Sequence, residues 1–341
     1  MGRRWGLDIL RIASMAAVVL LHTAGQYWSR VDVFGADWEV LNFYDSLVRW
    51  AVPVFVMISG ALFLDPGKDQ PIKKLYSKNI LRICTIIVFW GLIYAVLYGL
   101  PTELTWESVR GFIKTWIFGH YHMWFLFMII GLYVVTPVLR CVTKDAMVTR
   151  YFLFLGFVLD IALPFVFSFG WLSSLSDLLA KLQFHIPVGY AFYFVLGYWL
   201  GQRKISARNR VAAGVLAILG VALTFVLTAY ISLKGGQASE AFYGYFSLPV
   251  FMAAWGVFVL GKDARAEKKK AQRAISLLSK ASLGVYMVHI IVLRTLHSAG
   301  IDSMMCSPVI AVPTTAGLVI LISFLIAVML TKVPIINRYC V

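Results

Sequence analysis

Three ionisable residues stand at helical spacing near the start of the chain: Asp8, Arg11 and His22. At ~100° per residue, the eleven-residue step from Arg11 to His22 returns to almost the same helix face. At ~1.5 Å rise per residue it also carries the imidazole roughly 16 Å along the axis, about half a bilayer. Asp8 lies one turn before Arg11, at ion-pair spacing. A neutral imidazole near pH 7 is suited to accepting a proton, and a guanidinium to clamping an anion, so the pattern offers a base at one level and a charge clamp at another. The residues between them, Ile12, Ala13, Met15, Ala16, Val18, Val19, Leu20 and Leu21, have the composition of a helix in hydrocarbon. There an ionisable group costs several kcal/mol unless it faces protein or water, and the rest of the chain must shelter all three.

Composition says how. With 60% hydrophobic and 14% charged residues over 341 positions, and a mean hydropathy of +0.81, the chain lacks the polar surface of a soluble domain. An all-α, polytopic membrane protein of one domain, 1–341, is expected. Apolar runs of span length occur at about 5–28, 43–64, 78–99, 122–140, 150–169, 186–201, 210–231, 243–261, 279–297 and 309–330, which makes about ten transmembrane helices. The sixth is short, and the mixed segment Trp171 to His185 before it reads as a re-entrant or interfacial piece. The first run has no small-residue cleavage site and is read as a retained span.

Of 31 Lys and Arg, 22 fall in the two ends and every second loop, five fall in the alternate segments, and four (Arg11, Arg49, Arg82, Arg294) lie within spans. That bias puts both termini in the cytoplasm. The formal net charge of +15 is therefore a topology signal, with the run Lys268-Lys269-Lys270 in the most basic loop touching anionic membrane lipids. No basic face or nucleic-acid motif accompanies it, so nucleic acid is not an expected partner. Cys84, Cys141, Cys306 and Cys340 are scattered without metal or redox spacing.

Further polar residues lie inside the spans. The second contains Pro53, a source of a kink, and Ser59-Gly60, which permits close backbone approach. Lys73, Lys74, Lys78 and Arg82 run from a cytoplasmic loop into the third span, where they suit a phosphate-bearing ligand as well as lipid headgroups. The fourth opens at the outer face with His120-Tyr121-His122-Met123-Trp124-Phe125-Leu126. Its aromatics suit an interfacial belt, while His122 is at the depth of His22 and can line one cavity with it. In the ninth, Tyr286 and His289 share a face one turn apart, at the spacing of an interhelix hydrogen-bond site. No hydrolase triad order, zinc-type His pair, phosphate loop or dinucleotide turn can be placed, and no metal is expected. These features suit either group transfer across the bilayer or a small-solute pathway.

Four motifs in order resemble the signature of the acyltransferase-3 family, the bacterial integral-membrane O-acyltransferases. They are Gly6 to Ala13 running on to His22, Val52-Pro53-Val54-Phe55 with Ser59-Gly60, His122-Met123-Trp124-Phe125-Leu126 with Tyr133 and Pro137, and Leu283-Gly284-Val285-Tyr286 with His289. Together they cover nearly the whole chain. Within the family the chain looks most like stand-alone members that acetylate enterobacterial common antigen. The resemblance implies a multi-pass protein of the bacterial cytoplasmic membrane, acetyl-CoA as acyl donor, and a hydroxyl of a cell-surface glycan or its lipid-linked precursor as acceptor. It implies His22 at the thioester, as general base or as nucleophile, with Arg11 held by Asp8. Arg82, Lys78 and Lys74 are then expected to hold the phosphates of acetyl-CoA with Ser59 lining the donor's path, and His122, Trp124, Tyr286 and His289 to position the acceptor. The same membrane fold occurs in proteins with a proposed amino-acid transport role, which makes a small-solute transporter the alternative.

Overall fold

A computed structural model describes residues 3–68, 70–100, 103, 105–168 and 189–334, and among them no strand occurs. The expected piece between Trp171 and His185 lies outside the described residues, as do Arg338 and Cys340. In chain order the helices are α1 (Trp5–Ala24), α2 (Ala36–Val48), α3 (Ala51–Phe63), α4 (Ile72–Tyr98), α5 (Trp106–Phe118) and α6 (Trp124–Lys144). They continue with α7 (Ala146–Phe167), α8 (Gly189–Gly201), α9 (Ala207–Gly235), α10 (Leu248–Gly261), α11 (Lys269–Ser298) and α12 (Pro308–Thr331).

Among the described residues every expected span overlaps helix, and eight helical stretches are long and apolar enough to cross a bilayer. The other two are shorter: α10 has 14 residues and α8 is described over 13. Residues 241–247 ahead of α10 are turns and bends, with Phe242 and Tyr243 buried, and Pro249 sits in the first helical turn, where its missing N–H costs nothing. The apolar run from 243 is thus partly a packed turn rather than helix.

The expected kink in the second span is a full break between α2 and α3. Pro53 cannot donate to the carbonyl of Arg49 four residues earlier and its ring crowds that carbonyl, so the helix stops and restarts. Arg49 at the break is held by Asp45, at 2.5 and 2.7 Å, and its guanidinium lies 3.8 Å from the Tyr243 ring centre. The short helix α5 was not anticipated. Thr105 and Ser108 cap it reciprocally, none of its residues is buried, and the Trp116 indole donates to the carbonyl of Val88 on α4. Its one-sided apolar pattern suits an interfacial helix and is too polar for a span.

Close helix contacts hold the bundle. A Cβ on Gly60 of α3 would stand 1.7 Å from the carbonyl oxygen of Phe194 on α8, and one on Gly197 would stand 2.0 Å from that of Met57. Only a residue without a side chain lets these backbones meet. Two sets of segments gather at opposite ends. At one, Arg4 donates to the carbonyls of Ala61 and Gly201, Arg140 to those of Phe63 and Lys68, and Lys262 to that of Arg203. At the other, Tyr27 donates to Asp302, Tyr44 to the carbonyl of Val309, and Asn42 to that of Phe225. The first set consists of the Lys- and Arg-rich segments, so the alternation read from charge is also the alternation of the fold.

Candidate active site

Helix α1 is unbroken from Trp5 to Ala24, so Arg11 and His22 keep one face, and both meet α11. At the basic end, Arg11 Nη1 lies 3.3 Å from Asp8 Oδ1 and 3.1 Å from Ser279 Oγ, while Ser279 donates to the same carboxylate oxygen at 2.6 Å. Arg3 Nε takes the other oxygen at 2.6 Å. The buried carboxylate of Asp8 thereby gathers two cations and a hydroxyl, as a charge at this depth requires. Tyr133, on α6, packs its ring on Phe63 at 4.5 Å and lies within electrostatic range of both Arg11 and Arg82. Ser59 donates to the Phe55 carbonyl of its own helix, and its hydroxyl also pairs with that of Tyr133.

Two basic clefts open at this end. One, of about 330 Å³, has Lys74 and Lys78 in its lining with Gln70 and Asn79. The other, of about 360 Å³, is lined by Lys68, Arg140 and Lys144, and it shares Gln70 and Leu75 with the first. Lys74 and Lys78 line the first cleft, while Arg82 sits at the exposed start of the apolar part of α4, outside the lining of both clefts.

In the opposite half, His22 lies against His289, with ring centres 5.3 Å apart, and His289 lies 5.4 Å from His122. Tyr286 is 5.5 Å from His122 and its hydroxyl donates to the His122 carbonyl, which ties α11 to the turn before α6. Helices α1 and α11 and the turn before α6 thus converge on one cluster of His22, His122, Tyr286 and His289. The sequence placed His22 and His122 at one depth and Tyr286 and His289 on one face, and the packing joins the two pairs. His122 and His289 are 1% and 0% exposed, whereas His22 is half-buried and keeps accessible surface. Trp124 stands to one side, stacked on Tyr245 at 5.8 Å and close to Tyr190 at 5.9 Å, with part of its surface open. Phe125 links it to Tyr286.

The structure adds residues that sequence reasoning did not assign. His120 Nδ1 lies 3.0 Å from His122 Nδ1, and its ring stacks on Tyr94 of α4 at 4.7 Å. Tyr94 in turn donates to the Met287 carbonyl at 2.7 Å. Gly119 makes this possible: its φ of 68° turns the chain into the histidine segment, and a Cβ there would meet Met123 Sδ at 2.8 Å. The cue for His120 was its i, i+2 relation to His122 behind a glycine. Ser279 was legible only in the spacing Ser276, Ser279, Ser282 along one side of α11. Among the described residues no group of His, Cys, Asp or Glu is placed to hold a metal ion.

A mostly buried imidazole that keeps some accessible surface among buried aromatic and imidazole rings, with a paired Asp–Arg–Ser network at the far end of the same helix, is equipped for proton transfer to or from a substrate at the membrane. Comparison with known proteins places this chemistry. No curated protein and no solved structure matches the chain. A family profile described as an acyltransferase domain matches residues 4–331, from the first described arginines to the last turn of α12. The chain therefore belongs to the acyltransferase-3 family of multi-pass membrane acyltransferases.

Proposed function

We propose that this acyltransferase moves an acetyl group from acetyl-CoA to a hydroxyl of a cell-surface glycan or its lipid-linked precursor, in the bacterial cytoplasmic membrane. The observation that carries this reading is the two-ended use of α1 and α11. Basic clefts with Lys74 and Lys78 stand at the end where the cations gather, the end expected in the cytoplasm, and the His22 cluster stands in the other half. The roughly 16 Å of helix between Arg11 and His22 is a length that a pantetheine arm bridges in large part. In this reading Lys74, Lys78 and Arg82 neutralise the donor's phosphates, and Arg11, fixed by Asp8, orders the lower path with Ser59 on its wall. His22 takes the hydroxyl proton as the acceptor attacks the thioester carbonyl. With His289 beside them, His122, Tyr286 and the stacked Trp124 hold the acceptor, for which aromatic faces and imidazole edges offer both ring packing and hydrogen bonds. Members that acetylate enterobacterial common antigen make that glycan the first acceptor to try.

The test is thermal unfolding of the purified protein with acetyl-CoA, CoA and a panel of amino acids, on wild type and on Lys74→Ala/Lys78→Ala. A ligand of the folded state at 100 times its Kd stabilises by about 2.7 kcal/mol. A CoA-dependent rise that the lysine variant weakens is the expected result. A rise with an amino acid and none with acetyl-CoA or CoA would replace the transferase by a transporter.

A further inference from the structure

We propose that His289 is a positioning residue for His22: its Nε2 accepts the N–H of His22, which leaves the opposite nitrogen of His22 with its lone pair toward the acceptor hydroxyl. This rests on the reading of His22 as the base.

The tautomer of His289 is fixed by its surroundings. Nδ1 lies 2.6 Å from the carbonyl oxygen of Tyr286, one turn back on α11. A carbonyl oxygen only accepts, so Nδ1 carries the hydrogen, and in the neutral ring Nε2 is then bare. That nitrogen is buried and has no hydrogen-bond partner. Buried polar atoms are paired in the great majority of cases, and a buried acceptor held empty beside a reactive group needs a reason. The reason is across the gap. The rings of His22 and His289 are 5.3 Å apart between centres, a separation at which a His22 nitrogen turned toward Nε2 reaches the ~3 Å of a hydrogen bond. Catalytic hydrogen bonds are commonly long before substrate arrives and tighten in the complex.

His22 has the matching deficit. Neither of its ring nitrogens is hydrogen-bonded to a described residue, and a neutral imidazole has one N–H to place. His122 also borders His289 and its Nε2 is likewise buried and unpartnered, but its ring is closed in, whereas His22 keeps accessible surface. Of the two rings beside His289, only that of His22 keeps surface open to a substrate, so its N–H is the one paired here with the bare Nε2. The division of labour follows that of an oriented imidazole base, with a neutral imidazole in the place of a carboxylate, as suits a site in hydrocarbon where a fixed anion would be costly.

The step balances without a net proton on His289. The acceptor oxygen bonds to the thioester carbonyl carbon as its proton passes to His22, whose other N–H stays on His289 Nε2. The C–S bond then breaks, the sulfur leaves with the electron pair, and the proton on His22 passes to it, giving the ester and a free thiol.

The experiment compares His289→Gln with His289→Met, two side chains of nearly the same shape of which only Gln brings an acceptor oxygen to the place of Nε2. His289→Phe serves as a second acceptor-free variant should Met fail to fold, and His22→Gln as the control. Thiol release from acetyl-CoA is followed with a lipid-linked glycan extract of enterobacterial membranes, alongside thermal unfolding. The expected result is a kcat about 10²-fold lower in the Met variant, at unchanged KM for acetyl-CoA and unchanged thermal transition. The Gln variant should return to within about tenfold of wild type. Equal rates in the Gln and Met variants, with His22→Gln inactive, overturn the role of His289 and leave the base intact. A fully active His22→Gln overturns the base itself, and this inference with it.

Discussion

The two ends of the α1–α11 seam are built on opposite rules. At the basic end the charged groups of the seam are paired: Asp8 serves Arg3, Arg11 and Ser279, and Arg4 is spent on two backbone carbonyls. In the other half His122 and His289 each hold a buried Nε2 without a partner, and His22 makes no hydrogen bond to a described residue. A paired network fixes helices in place, since losing any member leaves a charge or a hydroxyl without its protein partner. An unsaturated one has capacity left for a substrate. The difference teaches where to look for chemistry in a membrane bundle: at the polar atoms the fold has left open rather than at its strongest ion pairs.

The largest effect that can break this contrast is on His22. His22→Ala should lower acetyl transfer by about 10²–10⁴-fold, the range of a general base, while leaving the thermal transition in place because the ring bonds to nothing described. Measured transfer near the wild-type rate in a folded preparation would remove His22 from the chemistry. Gly60→Ala should do the reverse. Its new Cβ would overlap the Phe194 carbonyl, so α3 and α8 must part, at a cost of about 1–3 kcal/mol or more. Yield and thermal transition should fall, with activity per folded molecule falling less. Asp8→Asn sharpens the comparison from the saturated side. Removing the carboxylate weakens charge-assisted bonds to two partly exposed arginines, at a cost of about 1–3 kcal/mol reduced by the water that reaches them. In the proposed mechanism the variant should raise KM for acetyl-CoA more than it lowers kcat. A kcat loss as deep as that of His22→Ala would show that the two ends work as one.

The same contrast marks what was readable before the structure. Helix positions were legible because a bilayer demands some twenty apolar residues, and both α1 and α11 carry their polar groups at helical spacing inside such runs. The pairing of His22 with His289 was not: periodicity gives a face, while the neighbour that fills it comes from packing between segments far apart in the chain. His122 was read at the depth of His22, and the fold joins them through His289. Helix α5 escaped because an interfacial helix has no span-length apolar run, although Thr105 and Ser108 marked its start. The shortening of α10 escaped because a buried turn bearing Phe242 and Tyr243 is as apolar as a helix.

The smallest effect tests the loops at the end away from the Lys- and Arg-rich segments, where Asp302 holds a network of its own. Burial pushes the Asp302 carboxyl up, but the Met304 amide, the Tyr27 hydroxyl and His297 together bring it below its ordinary value. These contacts run 2.8 Å from Met304, 2.8 Å from Tyr27 and 2.9 Å from His297 Nδ1. A carboxyl depressed in the folded state stabilises the protein above its unfolded pKa of about 3.9, and that contribution disappears as pH falls through the folded value. Asp302→Asn should therefore lower the thermal transition slightly at neutral pH, by the equivalent of under ~1 kcal/mol for a pair that water screens. The gap from wild type should then close on acidification below about pH 4. A gap that stays constant from neutral to acid would mean that the loop is held by the shape of Asn or Asp and not by the charge. The outer network would then resemble the buried end of the seam only in its hydrogen bonds, with no electrostatic share in fastening α11 to α12.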